Sequence, residues 1–313
     1  MDAKKSISNR HGVASVARQP SSFIYAGGFT LIELLVVIAV IALLMAILLP
    51  CLQRARRQAK AVVCQAHLRQ WGQILAAYTD ENEGYFPYGL TIAAVWLFRG
   101  PMPLAEGDST FRPLTQPAST DGIRCCPMAT GPPIDSGSGT LGFPCGPKGE
   151  YAEVTWSPAP TRSGTWKAIR PAPTFVASYG FNAWLLENTC ASDSRVRQVP
   201  RATNVFSVRG RGAVPVLLDS MWPDRFVFTD DGPPDEEGVM HPRQMNNMAS
   251  FCLNRHDGYV NGLFLDWSVR KIGLKEIWTL KWRSDFDTVG HWTRAGGVQP
   301  GNWPEWMRGF KNY

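Results

Sequence analysis

A histidine and an aspartate, His256 and Asp266, stand with nine residues between them in the run RHDGYVNGLFLDWSVRKI. An imidazole beside a carboxylate can move a proton, orient a nucleophile or ligate a metal. Asp219, at the end of an apolar run over residues 214–218, is a third candidate for the same group. One histidine and two carboxylates without cysteines at ligand spacing make a poor zinc site. The set reads instead as a histidine locked to a carboxylate at a strand-turn junction, with no catalytic residue, no metal and no cofactor expected. Asp230, Asp231, Asp235, Glu236 and Glu237 offer oxygen ligands, but Gly232, Pro233 and Pro234 interrupt them and D-x-D-x-D-G order is lacking. They read as a solvated acidic loop.

The seven cysteines are Cys51, Cys64, Cys125, Cys126, Cys145, Cys190 and Cys252. An odd number cannot all pair within one chain, and Cys51, at the edge of an apolar stretch, is the odd one out. Adjacent cysteines seldom bridge each other, because disulfide geometry disfavours it. One of Cys125 and Cys126 is expected to pair with Cys64, Cys145, Cys190 or Cys252, with the connectivity left open by the sequence. No C-x-x-C or nucleophile-base arrangement points to a thiol enzyme.

Stepping outward from these side chains, the strongest element is residues 29–49, FTLIELLVVIAVIALLMAILL, in which Glu33 is the only charge. A helix of that length covers about 31 Å, the thickness of a bilayer's hydrocarbon core at about 30 Å. A cleavable secretory signal has a shorter apolar region and a small-residue cleavage site, whereas Pro50, Cys51 and Leu52 follow here. A carboxylate inside such a span costs about 2.5–3.5 kcal/mol on insertion scales and marks a functional partner.

The formal charge of +6 clusters around this stretch. Lys4, Lys5, Arg10 and Arg18 against Asp2 give +3 over residues 1–28. Arg54, Arg56, Arg57, Lys60 and Arg69 against Glu33 give +4 over residues 29–69, leaving −1 for the rest. A basic excess confined to the flanks of an apolar run fits membrane flanks better than a nucleic-acid surface. Counted literally, the positive-inside rule would keep the side carrying Arg54 to Lys60 in the cytoplasm.

Beyond Pro50, apolar or small residues at Leu52, Ala55, Ala59, Val62, Ala66, Trp71, Ile74, Leu75 and Tyr78 continue the helix amphipathically. Gly84 is its stop. Residues 126–173 are rich in proline and read as extended loop. Strand-like runs lie at 204–208, 214–218, 260–265 and 269–272, and a helix is expected over 274–283. Six of the twelve tryptophans fall between Trp267 and Trp306. They read as core packing, with a glycan-stacking surface as the alternative. The expected architecture is α+β: a long N-terminal helix packed on a small antiparallel sheet with extended loops.

The run Gly27-Gly28-Phe29-Thr30-Leu31-Ile32-Glu33 before the apolar tail resembles the processing and methylation motif of type IV prepilins and type II secretion pseudopilins. The resemblance implies a pilin-like fold, cleavage between Gly28 and Phe29 by prepilin peptidase, and N-methylation of Phe29. It also implies that Glu33 pairs with the α-amine of a neighbouring subunit. A freed ammonium at an apolar boundary does need such a counter-charge. The implied layout is a leader over 1–28, a transmembrane and stalk helix over 29–84, and an exported globular domain over 85–313. The leader would be cytoplasmic and the protein a single-pass inner-membrane subunit, reaching the periplasm or cell surface after assembly, which reverses the charge-rule orientation. The implied partners are the fibre-assembly machinery, other pilin-like subunits or further copies, and membrane lipid, with no nucleic acid.

The 256–266 region, with KAVVCQAHLRQWG, YTDENEGYFP and Cys126-Pro127-Met128-Ala129, resembles the H-X9-DG region of planctomycete-type prepilin-like proteins. The sequence departs from that pattern at Trp267, where the pattern has glycine. The function expected is a non-enzymatic pseudopilin-like subunit of a type II secretion or type IV pilus-type fibre. The alternative is a membrane-tethered extracytoplasmic module that binds a glycan or protein.

Overall fold

A computed structural model of the chain describes residues 30–86, 121–129, 141–144, 151–156, 165–170, 175–186, 204–237 and 246–313. The chain divides into two compact units, residues 1–51 and 52–313, and helix α1, Leu31–Glu81, runs through the division with Pro50 inside it.

In the first unit, α1 opens on a capping box. The Thr30 amide donates to Glu33 Oε2 at 2.8 Å, the Thr30 hydroxyl donates to the same oxygen at 2.7 Å, and the Glu33 amide donates to Thr30 Oγ1 at 3.3 Å. Reciprocal bonds of this kind satisfy amides that a helix start would otherwise leave without partners. The large apolar side chains that follow are exposed all round the helix, from 46% at Val37 to 81% at Leu31. By length and composition this stretch can cross a membrane.

In the second unit, α1 buries a narrow stripe: Ala61, Cys64, Leu68, Trp71, Leu75 and Tyr78. Their spacings of three and four keep them on one face. The stripe differs from the expected one in its upper part, where Leu52 and Val62 are exposed. The helix turns that face only where the sheet lies beneath it. Gly72 marks the closest approach, since a Cβ there would come within 2.9 Å of Leu263 Cδ1. The helix ends with Glu83 and Gly84 at positive φ and the Gly84 amide donating to Thr79 O at 2.7 Å.

Beneath α1 is a five-stranded sheet in the order β7-β5-β6-β8-β9. Its strands are β5 (Tyr179–Asn182), β6 (Pro215–Asp219), β7 (Asp224–Arg225), β8 (Tyr259–Phe264) and β9 (Val269–Gly273). The β5–β7 pair is parallel and the others antiparallel, so the sheet is mixed rather than purely antiparallel. A second, antiparallel sheet, β1 (Leu141–Pro144), β2 (Tyr151–Trp156), β3 (Trp166–Arg170) and β4 (Phe175–Ala177), occupies part of the stretch expected to be loop. The fold is thus α+β and pilin-like, with more sheet than the proline content suggested.

Two further segments differ from expectation. Residues 204–208 hold a 3-10 turn, Val205–Ser207, because Asn204 Oδ1 caps the Phe206 amide at 2.9 Å. The helix expected over 274–283 is one 3-10 turn, Glu276–Thr279. The tryptophans there are core: Trp278, Trp282 and Trp303 are buried, and Trp278 meets Trp303 edge-on at 5.3 Å.

Candidate functional site

The sheet and α1 bring together side chains that lie far apart in the sequence. Asp219 ends β6, fully buried, and its two oxygens collect several donors. Arg255 Nη1 donates to Oδ1 at 2.9 Å, and the Asn261 amide donates to Oδ2 at 2.8 Å. His256 Nε2 lies 3.1 Å from Oδ2. Cys64 Sγ approaches from α1, 3.7 and 3.8 Å from the two oxygens. Cys126 Sγ, from the 121–129 loop, lies 3.4 Å from His256 Nε2. The donor atoms of Cys64, Cys126, Asp219 and His256 all lie within 4.8 Å of one another, and all four residues are buried.

Each member is held from behind. The Cys126 amide donates to Ser178 Oγ at 2.7 Å, and the Met128 amide donates to Cys126 Sγ at 3.5 Å. Tyr179 Oη donates to Cys64 Sγ at 3.3 Å. Arg255 also donates to the carbonyls of Ser178 and Ser220. The His256 ring stacks on Tyr259 at 5.6 Å. The loop that carries Cys126 is pinned to α1, with Trp71 Nε1 donating to Ile123 O and His67 Nδ1 3.0 Å from Cys125 O.

Burial alone would raise the Asp219 carboxyl, but His256, the Arg255 guanidinium and the donated hydrogen bonds outweigh it and hold it at about 2. Burial likewise works against a charged His256, and the Asp219 carboxylate reverses this, raising the imidazole to about 9. For Cys126, burial is overcome by hydrogen bonds from Cys64 and His256 and by the Arg255 charge, which bring the thiol down to about 7. Cys64 moves the other way, well up, chiefly through burial. The pocket therefore holds a carboxylate, a guanidinium, a histidine ring that favours its charged form and two unlike thiols.

The structure joins His256 to Asp219 and leaves Asp266 elsewhere. Asp266 is exposed in the β8–β9 turn, where Oδ1 accepts from the Ser268 amide and hydroxyl. Trp267 takes positive φ there, the conformation for which glycine is best suited. Cys64, Cys125, Cys126 and Cys252 are free thiols, and Cys125 points away from the cluster, its Sγ 3.4 Å from Val176 O. Cys145 and Cys190, like Gly28 and Phe29, lie outside the described residues. In the acidic segment Asp231 is buried, its Oδ2 capping the Phe228 amide at 2.9 Å, so this part is not a solvated loop. Sequence reasoning missed Arg255 and the two cysteines as partners of His256. The only sequence signal was that Arg255 adjoins His256 and that both cysteines fall in recognisable blocks.

Residues 25–49 match the prokaryotic N-terminal methylation motif, so this segment of the chain is prepilin-like. A stretch of 60 residues is 47% identical to the type IV wide pilus major component PilA4 of Thermus thermophilus, covering 19% of this chain and 46% of that pilin. The chain thus spans about half the length of the curated relative it matches. No solved structure matches it.

Proposed function

We propose that the chain is a non-enzymatic subunit of a type IV pilus or type II secretion fibre. Prepilin peptidase cuts it between Gly28 and Phe29, Phe29 is N-methylated, and the subunit assembles through its N-terminal helix. Residues 1–28 act as cytoplasmic leader, 29–84 as membrane and stalk helix, and 85–313 as exported domain. The observation that carries this reading is the joining of a methylation motif over 25–49 to a helix whose apolar side chains face outward on every side. Such a surface is stable only against lipid or the same helix of other subunits. Glu33 supplies the charge that a freed Phe29 amine requires at an apolar boundary.

Two substitutions test it. Gly28→Leu is expected to leave the leader attached, seen as a larger species on immunoblots of cell membranes. Glu33→Gln is expected to be cleaved normally yet be depleted from sheared fibre fractions by about tenfold or more, the factor set by losing about 1.4 kcal/mol or more of ion pairing. Normal cleavage of the first variant and normal fibre incorporation of the second would sink the reading.

A further inference from the structure

The assembly proposed above does not account for the buried cluster in the second unit. We propose that Cys64, Cys126, His256 and Asp219 form a structural zinc(II) site that ties α1, the 121–129 loop, β6 and the turn preceding β8 together. The first argument is the shape of the cage. Tetrahedral zinc with bonds of about 2.3 Å to sulfur and about 2.0–2.2 Å to nitrogen or oxygen sets sulfur about 3.6 Å from nitrogen or oxygen, and nitrogen about 3.4 Å from oxygen. The corresponding separations are 3.4 Å for Cys126 Sγ to His256 Nε2, 3.8 Å for Cys64 Sγ to Asp219 Oδ2, and 3.1 Å for His256 Nε2 to Asp219 Oδ2. These three of the six edges match to within about 0.3 Å, and the other three are no longer than 4.8 Å, so the side chains need only close in around an ion.

The second argument is charge. Two thiolates and one carboxylate around a divalent cation leave one negative charge, and the Arg255 guanidinium, 2.9 Å from Asp219 Oδ1, cancels it inside a fully buried site. Each thiol releases its proton to water as its sulfur binds, and the His256 ring gives up the proton at Nε2 and binds as the neutral imidazole. Thiolates and imidazole favour zinc over magnesium or calcium. The third argument is the surrounding shell. The Met128 amide supports Cys126, the Tyr179 hydroxyl supports Cys64, and the Asn261 amide and Arg255 support Asp219. Bonds from behind the ligands are what orients them in metal sites. With four protein ligands and no exposed member the site is closed, as structural zinc sites are.

The test uses the full-length chain in detergent, reduced, loaded with zinc and dialysed against metal-free buffer. Elemental analysis is expected to find about one zinc per chain. Cys64→Ser and Cys126→Ser should each lose it, while Cys252→Ser should keep it, since that buried thiol lies against Met307 outside the cluster. Cobalt(II) in place of zinc should give a thiolate-to-metal charge-transfer band in the unmutated chain, a readout independent of how the variants fold. Failure of the unmutated chain to bind either metal overturns the proposal. So does a Cys64–Cys126 disulfide in protein taken from the cell envelope without reductant.

Discussion

Asp219 shows how one side chain organises a core. It receives Arg255, His256 and the Asn261 amide without any solvent exposure. Removing one partner of a buried pair strands the other, and costs about 3–5 kcal/mol. Arg255→Ala is therefore expected to lower the domain's thermal midpoint by roughly 10 °C, read by circular dichroism. Asp266→Ala is the contrasting change, losing only an exposed turn bond to Ser268, and should move the midpoint by a few degrees at most, for a loss of about 1 kcal/mol. Equal effects of the two substitutions would contradict the assignment of Asp219 as the partner of His256.

At the scale of elements, α1 has two halves with different physics. Trp71 is buried and its indole donates to Ile123 O, so Trp71→Ala should cost about 3–5 kcal/mol in the second unit. Leu35→Ala removes a side chain that is 54% exposed and should leave that unit's denaturation midpoint unchanged. A shift with Leu35→Ala matching that of Trp71→Ala would refute this division. Gly72→Ala gains about 1 kcal/mol of helix propensity, but its Cβ would press on fully buried Leu263, so a net destabilisation is expected, within the ~1–3 kcal/mol of overpacking. The hairpin β8–β9 was legible in the sequence because two short apolar-rich runs, 260–265 and 269–272, flank a three-residue turn at 266–268. The α1 span was legible because nothing else is so long and apolar. Residues 204–208 misled because an apolar pair looks strand-like until Asn204 caps it into a 3-10 turn. Residues 274–283 misled because Leu274, Ile277, Trp278 and Trp282 have helical spacing, whereas the chain makes one 3-10 turn there and Leu280 is extended. Half of the cluster, His256 and Asp219, was legible, but Cys64 and Cys126 were not, because they come from distant segments and spacing rules only see local ones.

For the whole molecule, the partition of charge and apolar surface becomes physical. The basic excess lies on residues 1–28 (+3) and 29–69 (+4), and among the described residues most exposed large apolar side chains lie on α1, while residues 70–313 carry a formal −1. The chain should accordingly run as a discrete species in size-exclusion chromatography only with detergent or lipid present. A monodisperse monomer in plain buffer would contradict this. The fold of the second unit also sets an order of events. Tyr179 pairs with Asp219, and Leu218 with Gly262, so the central strands join segments far apart along the chain. Contacts of such long range form late in folding, because the intervening loops must close first. Cys64, Cys126, Asp219 and His256 therefore meet only when the domain is nearly complete. Until then the two sulfurs are open to any oxidant, with Cys125 beside Cys126 as a competitor for the wrong bond. The speed with which the sheet closes decides which sulfur Cys64 finally faces.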